Sequence, residues 1–284
     1  MKVLAAAALA GALAFAHAAL AAPEKPADAV EPTALEILQT AFDRMFNYPS
    51  VRSVTLRIHR GDSRVTYRSF DVVYKKIDGR GRTLLRFTEP EYLRGNALLM
   101  IEEADGRTDT WIYQRDLQRP RRVIASHKDD AFYGSDLSFE DLEHHDWRRF
   151  EVRRLPDTVE PGKPSYVVEA RTPSDSQYSK LVATIERERF ALLRLDLYGS
   201  SSSEPIKSLE LQPDEIEREE SGALKPSRMW VRQHGREAST EVVFDRIVDD
   251  AKIADEVFAT MRLVQSGEDL YKLVERLRQQ PEEP

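Results

Sequence analysis

The chain has 284 residues, no cysteine and a formal net charge of −7. Without cysteine there is neither a disulfide nor a thiolate metal ligand, so stability must come from a packed core; the mildly acidic balance argues against a nucleic-acid binder. The length exceeds that of an average domain but is common for one large β-sheet or barrel.

Lys2 precedes an unbroken apolar run from Val3 to Ala16, followed by the small-residue sites Ala16-His17-Ala18 and Ala19-Leu20-Ala21. This pattern predicts a secretory signal peptide over residues 1–21, cut after Ala21. The run is too short and too rich in alanine for a bilayer-spanning anchor. The mature chain is therefore expected in an exported compartment, and without cysteine it is not itself lipidated. Residues 22–32 read as a flexible leader of alanine, proline and charge, residues 33–264 as a single β-domain, and residues 265–284 as a helical tail.

The fold is expected to begin at Thr33, which with Glu36 makes a capping box ahead of Leu35, Leu38, Phe42, Met45 and Phe46 at helical spacing. Pro49 should end this helix near Asn47 and Tyr48. Beyond it the chain is nearly all strand. Val54, Leu56 and Ile58 alternate with Thr55 and Arg57. A turn follows at Gly61-Asp62, and the phase of the next strand changes between Tyr67 and Phe70, which predicts a bulge near Ser69. Leu85 and Phe87 lead to a break at Glu89-Pro90, and Ala97 to Ile101 reads as a central strand. The alternation recurs to Val242 and Phe244, with turn clusters such as Glu160 to Pro164 between, giving about eleven or twelve strands. No glycine-rich nucleotide motif and no alternation with long helices points to a parallel fold. The expected architecture is mainly β: a large, curved antiparallel sheet that wraps around the N-terminal helix and short helical pieces. Ser138 to Leu142 is one such piece; Asp255 to Met261 is another. Glu268 to Arg278 is a tail helix whose Leu270, Leu273, Val274 and Leu277 dock on the body.

Candidate chemistry is sparse. His144-His145 has neither His-x-His nor H-E-x-x-H spacing, and adjacent strand residues point apart, so a solvated loop pair is expected rather than a metal site. Ser135 in Gly134-Ser135-Asp136 lacks a nucleophile-elbow context; Gly134 and Asp136 are expected to shape a turn, the Asp side chain bonding the backbone ahead of it. Neither a cofactor nor a catalytic residue is expected. The basic cluster Arg119, Arg121 and Arg122 reads as a solvated face or as a docking rim for anionic headgroups or a protein partner.

Three stretches carry a family resemblance: Arg86-Phe87-Thr88-Glu89-Pro90 with Arg94-Gly95-Asn96-Ala97-Leu98-Leu99; Trp111-Ile112-Tyr113 with Arg121-Arg122-Val123; and Gly134-Ser135-Asp136-Leu137-Ser138-Phe139-Glu140-Asp141-Leu142. With the late segment from Ile253 to Leu263, the chain resembles the periplasmic outer-membrane lipoprotein-sorting proteins, the LolA-like group, from Leu35 to Val264. It departs at Gln114-Arg115, where a more apolar continuation is expected. The resemblance implies an unclosed barrel whose hydrophobic cavity shields acyl chains in transit. It also implies work beside an inner-membrane transporter of the resistance-nodulation-division type. The expected function is a periplasmic carrier, not an enzyme, binding acyl chains of a lipoprotein or another lipid for transfer towards the outer membrane. The alternative is an envelope sensor or adaptor acting with a protein partner. Alternation assigns Phe42, Met45 and Phe46 on the helix, and Phe70, Val72, Phe87, Leu99, Trp111 and Tyr113 on the sheet, to the cavity.

Overall fold

A computed structural model describes residues 31–61, 64–123, 127–159, 162–249, 252–265 and 269–278. The expected signal peptide with its cut after Ala21, and most of the expected leader, lie outside the described residues, as do Asp62, Glu160, Pro161 and Glu268.

Helix α1 (Ala34–Met45) starts where its cap predicts. Thr33 Oγ1 accepts from the Glu36 amide, and the Glu36 carboxylate accepts from the Thr33 amide at 2.8 Å. It buries Ile37, Leu38, Ala41 and Met45 and packs on strands of the later half of the sheet. Six strands follow: β1 (Ser50–Arg60), β2 (Arg64–Ile77), β3 (Arg80–Glu89), β4 (Ala97–Glu102), β5 (Thr108–Gln114) and β6 (Arg119–Arg122). After a long connection come β7 (Glu151–Thr158), β8 (Ser165–Arg171), β9 (Lys180–Glu186), β10 (Leu192–Tyr198) and β11 (Lys207–Glu210). A separate hairpin, β12 (Ile216–Arg218) with β13 (Leu224–Pro226), precedes β14 (Arg228–Gln233) and β15 (Ala238–Asp249).

All strands but the hairpin form one antiparallel 13-stranded sheet in the order β6-β5-β4-β3-β2-β1-β15-β14-β11-β10-β9-β8-β7. The chain therefore begins at the middle of the sheet and runs out to one edge at β6. It then crosses to the other edge at β7 and returns to pair β15 with β1, from Ser50↔Asp249 to Arg60↔Ala238. The sheet is not closed: β6 and β7 are its edges. Its first half shifts register at Ser69/Phe70, where the sequence phase changes, and again at Ser53/Val54 against β15; each bulge adds local bend and twist.

Both faces are covered. On the concave face one core joins Leu56, Phe70, Leu85, Leu98 and Ile112 from the first half to Val168, Leu181, Leu195 and Val231 from the second, with α1 among them. The connection between the edges fills part of this concavity: Phe132 packs edge-on to Phe70 and Phe139 and stacks on Phe87 at 5.8 Å, and Trp147 lies 4.6 Å from the Phe42 ring. The opposite face of the first half carries a second core. Val73, Leu84, Leu99 and Tyr113 meet Val257 and Phe258, Leu263 of α2 (Met261–Val264), and Leu270, Leu273 and Val274 of α3 (Leu270–Arg278). The tail helix thus docks on the body through Leu270, Leu273 and Val274 of the expected stripe; the Leu277 side chain lies outside the described residues. Among the described residues no helix is long and apolar enough to cross a membrane.

Candidate functional site

A cavity of about 260 Å³ opens on the concave face. Its apolar wall joins Val54, Leu56, Phe70, Val72, Leu85 and Met100 from the first half to Leu181, Leu195, Leu197, Leu209, Met229 and Val242 from the second; Phe42 and Phe46 line it from the end of α1. These positions follow from strand alternation, since residues two apart share a face.

Of the residues assigned by alternation, Phe42, Phe46, Phe70 and Val72 line this cavity. Met45 and Phe87 sit on the same side but sealed within the core, Met45 against Leu192 and Phe87 under Phe132 and Tyr133. Leu99, Trp111 and Tyr113 lie on the other face, beneath the C-terminal helices. Their neighbours Leu98, Met100 and Ile112 take the concave side instead. The cause is physical: a strand covered on both faces is apolar in both phases, so the run Ala97-Leu98-Leu99-Met100-Ile101 carries no alternation to read. Nor do the three arginines of β6 form one rim. Arg121 pairs in register with Ile112 and Arg122 with Trp111, so consecutive side chains point to opposite faces, and Arg122 is engaged by Asp109.

His144 and His145 are not a solvated loop pair; both line the cavity. Asn47 Nδ2 donates to Asp43, which leaves its Oδ1 to accept from His144 Nδ1 at 3.0 Å, while His144 Nε2 accepts from the Thr83 hydroxyl at 2.7 Å. The ring fits against β3 because residue 81 is glycine: a Cβ there would stand 3.1 Å from it. Burial holds His144 down to about 3 and His145 to about 4, so both imidazoles are neutral near pH 7. Among the described residues no group of His, Asp and Glu could hold a metal ion. Glu143 is pushed up to about 7 by burial, against the opposing pull of Lys128 at 3.0 Å.

A buried network holds the connection between the sheet edges to the wall. Asp141 accepts from the Tyr178 hydroxyl at 2.6 Å and from Lys207 Nζ at 2.5 Å, and Lys207 also donates to Tyr178 at 2.8 Å. Glu140 accepts from Ser176 and from the Gln177 amide. Ser138 and Asp141 cap the short turn reciprocally, the Ser138 amide donating to Asp141 and the Asp141 amide to Ser138. Ser135 Oγ donates to the Phe132 carbonyl at 2.7 Å and accepts from the Leu137 amide, a turn role. Asp136 does not bond the backbone ahead of it; it accepts from Thr240 at 2.6 Å and Arg60 at 3.0 Å, tying the connection to β15 and β1.

Alternation carried a signal for two polar groups that the sequence reading passed over. Arg52 shares the phase of Val54 and Leu56, and Lys207 that of Leu209 and Leu211, so both charges point into the concavity.

No curated protein matches the chain. Three solved structures share its fold. A domain from Vibrio parahaemolyticus named for outer-membrane lipoprotein sorting is 21% identical over 81% of this chain and 98% of its own, with a TM-score of 0.74. A DUF1329 family protein from Desulfovibrio piger is 23% identical over 81% and 95%, with a TM-score of 0.72. A LolA superfamily protein from Nitrosomonas europaea is 17% identical over 82% and 100%, with a TM-score of 0.66. With this LolA-like fold in place, and with residues 79–265 matched by a family model described as "Uncharacterized protein", the chain belongs to that family.

Proposed function

We propose that the protein is a periplasmic carrier that holds an acyl chain of a lipoprotein or another lipid in the concave cavity and does no chemistry on it. The observation that carries this reading is the cavity itself, walled by apolar side chains from both halves of an open sheet and lined by Phe42 and Phe46 of a capped helix. Each methylene removed from water contributes ~0.8 kcal/mol, so about ten of them give micromolar binding before ordering costs. Its volume lies below the roughly 300–1,000 Å³ of sites for drug-sized ligands, which favours one chain over several. In this reading α1 is the lid, and the cargo travels towards the outer membrane, the destination for which the Vibrio domain is named. An inner-membrane transporter of the resistance-nodulation-division type is the partner, and Arg119 and Arg121, which share one face of the edge strand, are the headgroup rim.

Lipid extraction and mass spectrometry of the purified protein test the carrier. Bound lipid near one per chain is expected. Val72→Glu, a charge in the cavity wall, should abolish loading, whereas Trp111→Glu, on the other face, should leave it intact in the folded fraction. Loading that survives Val72→Glu in a folded protein, or that is absent from the wild type, would sink the reading.

A further inference from the structure

One end of the cavity is built for more than an apolar chain. Arg52 lines it and is 7% exposed. Its Nε donates to Ser50 Oγ at 2.9 Å and its Nη2 to the Phe46 carbonyl at 2.9 Å, and its guanidinium lies 4.8 Å from the Tyr48 ring. Among the described residues no carboxylate forms an ion pair with it and Nη1 has no acceptor. A buried cation without a counter-charge is unfavourable, and an anion supplied from outside relieves that penalty. Beside it is Tyr74, 2% exposed, which lines the same cavity and whose hydroxyl has no hydrogen-bond partner. Register sets Tyr74 opposite Ser50 and Val72 opposite Arg52, so Arg52 and Tyr74 are diagonal neighbours on one face, within reach of a shared ligand group. Of the other polar groups nearby, His144 holds Thr83 and Asn47, while the Tyr48 hydroxyl is also buried without a partner.

We propose that Arg52 and Tyr74 bind the carboxylate of a long-chain fatty acid, or of a similar single-chain amphiphile, whose tail lies along the apolar wall. The inference rests on the carrier reading and narrows its cargo. Two unfilled donors match the two oxygens of one carboxylate. A phosphate monoester would bring up to two charges to one cation, leaving a charge unmet.

The test is calorimetric titration of the delipidated full chain with palmitate, methyl palmitate, 1-hexadecanol and hexadecyl phosphate. Palmitate is expected to bind about tenfold or more tighter than the ester and the alcohol, the difference a charge-assisted hydrogen bond supplies. Tyr74→Phe removes a hydroxyl that bonds nothing in the unliganded protein, so its melting temperature should hold. Its affinity for palmitate should fall about tenfold while that for methyl palmitate stays put. Arg52→Lys, which keeps the charge but loses the fork, should weaken palmitate selectively as well. Equal affinity for palmitate, ester and alcohol would overturn the carboxylate site and leave the carrier standing. Tighter binding of hexadecyl phosphate than of palmitate would also overturn it, as would a Tyr74→Phe loss shared by palmitate and its ester. Binding of none of the four overturns both the site and the carrier.

Discussion

Neutral histidines in a cavity wall make stability depend on pH in a readable way. An unfolded chain protonates His144 and His145 near pH 6.5, but burial delays this in the folded chain to about 3 and about 4. Their contribution is therefore complete above pH 6.5 and is lost as pH falls from there through the folded values. Glu143 acts in the opposite sense. Folded, it holds its proton up to about pH 7; unfolded, only to 4.5, so its contribution is complete below 4.5 and is lost as pH rises to 7. Two histidines outweigh one glutamate, and the melting temperature should fall as pH is lowered from 6.5 to 4.5. In the double variant His144→Gln, His145→Gln the slope over that range should reverse, because Glu143, with Asp71 also raised by burial, then sets its sign. A double variant that keeps the wild-type acid slope would remove the histidines as its cause. None of this was legible in the sequence, where two adjacent histidines outside any strand pattern read as solvent-exposed. Their surroundings come from β3, from the end of α1 and from the connection itself, which only the fold brings together.

The element that matters most is the stretch from His127 to Phe150, which crosses between the sheet edges and is fastened by Asp141, Lys207 and Tyr178. Lys207 and Asp141 are 4% and 2% exposed, so removing one charge strands the other in a site that water does not reach. Lys207→Met should cost about 3–5 kcal/mol in denaturant unfolding, and adding Asp141→Asn should recover part of it. A double-variant cost equal to the sum of the two single-variant costs would show that the pair is not coupled. The reciprocal cap at Ser138 and the box at Thr33 were both legible, because a cap is written in residues three apart. The faces of β4 and β5 were not. There the sequence is apolar in both phases, and large aromatics at Trp111 and Tyr113 drew the cavity to the wrong side, away from Leu98, Met100 and Ile112. The reverse signal was present in β1 and β11, where Arg52 and Lys207 each stand at the head of an apolar phase. A charge in such a phase marks either an error of phase or a polar group inside, and here it marks the latter.

At the scale of the molecule, the two faces of the sheet divide the work. The concave face is hollow, whereas the other face is filled by the C-terminal helices. Leu273, 1% exposed under α3, should therefore matter to folding and not to cargo. Leu273→Ala is expected to cost about 2–5 kcal/mol while acyl loading per folded molecule stays unchanged; reduced loading would show that the faces are coupled. The curved sheet was legible from strand count, bulge and turn spacing, and its being unclosed only from the family resemblance. The route of the chain was not, since nothing local to Ser50 or Asp249 says that the first and last strands are neighbours. That route places the gap in the sheet where the chain makes its longest crossing. In a closed barrel the number of strands and their stagger fix the bore. Here no ladder joins β6 to β7, so the sheet can coil more tightly or relax with all its interstrand hydrogen bonds kept. For the proposed carrier, capacity is then a matter of curvature, and chains of different length would be accommodated by a change in the spacing of the two edges rather than by empty space left around the shorter ones.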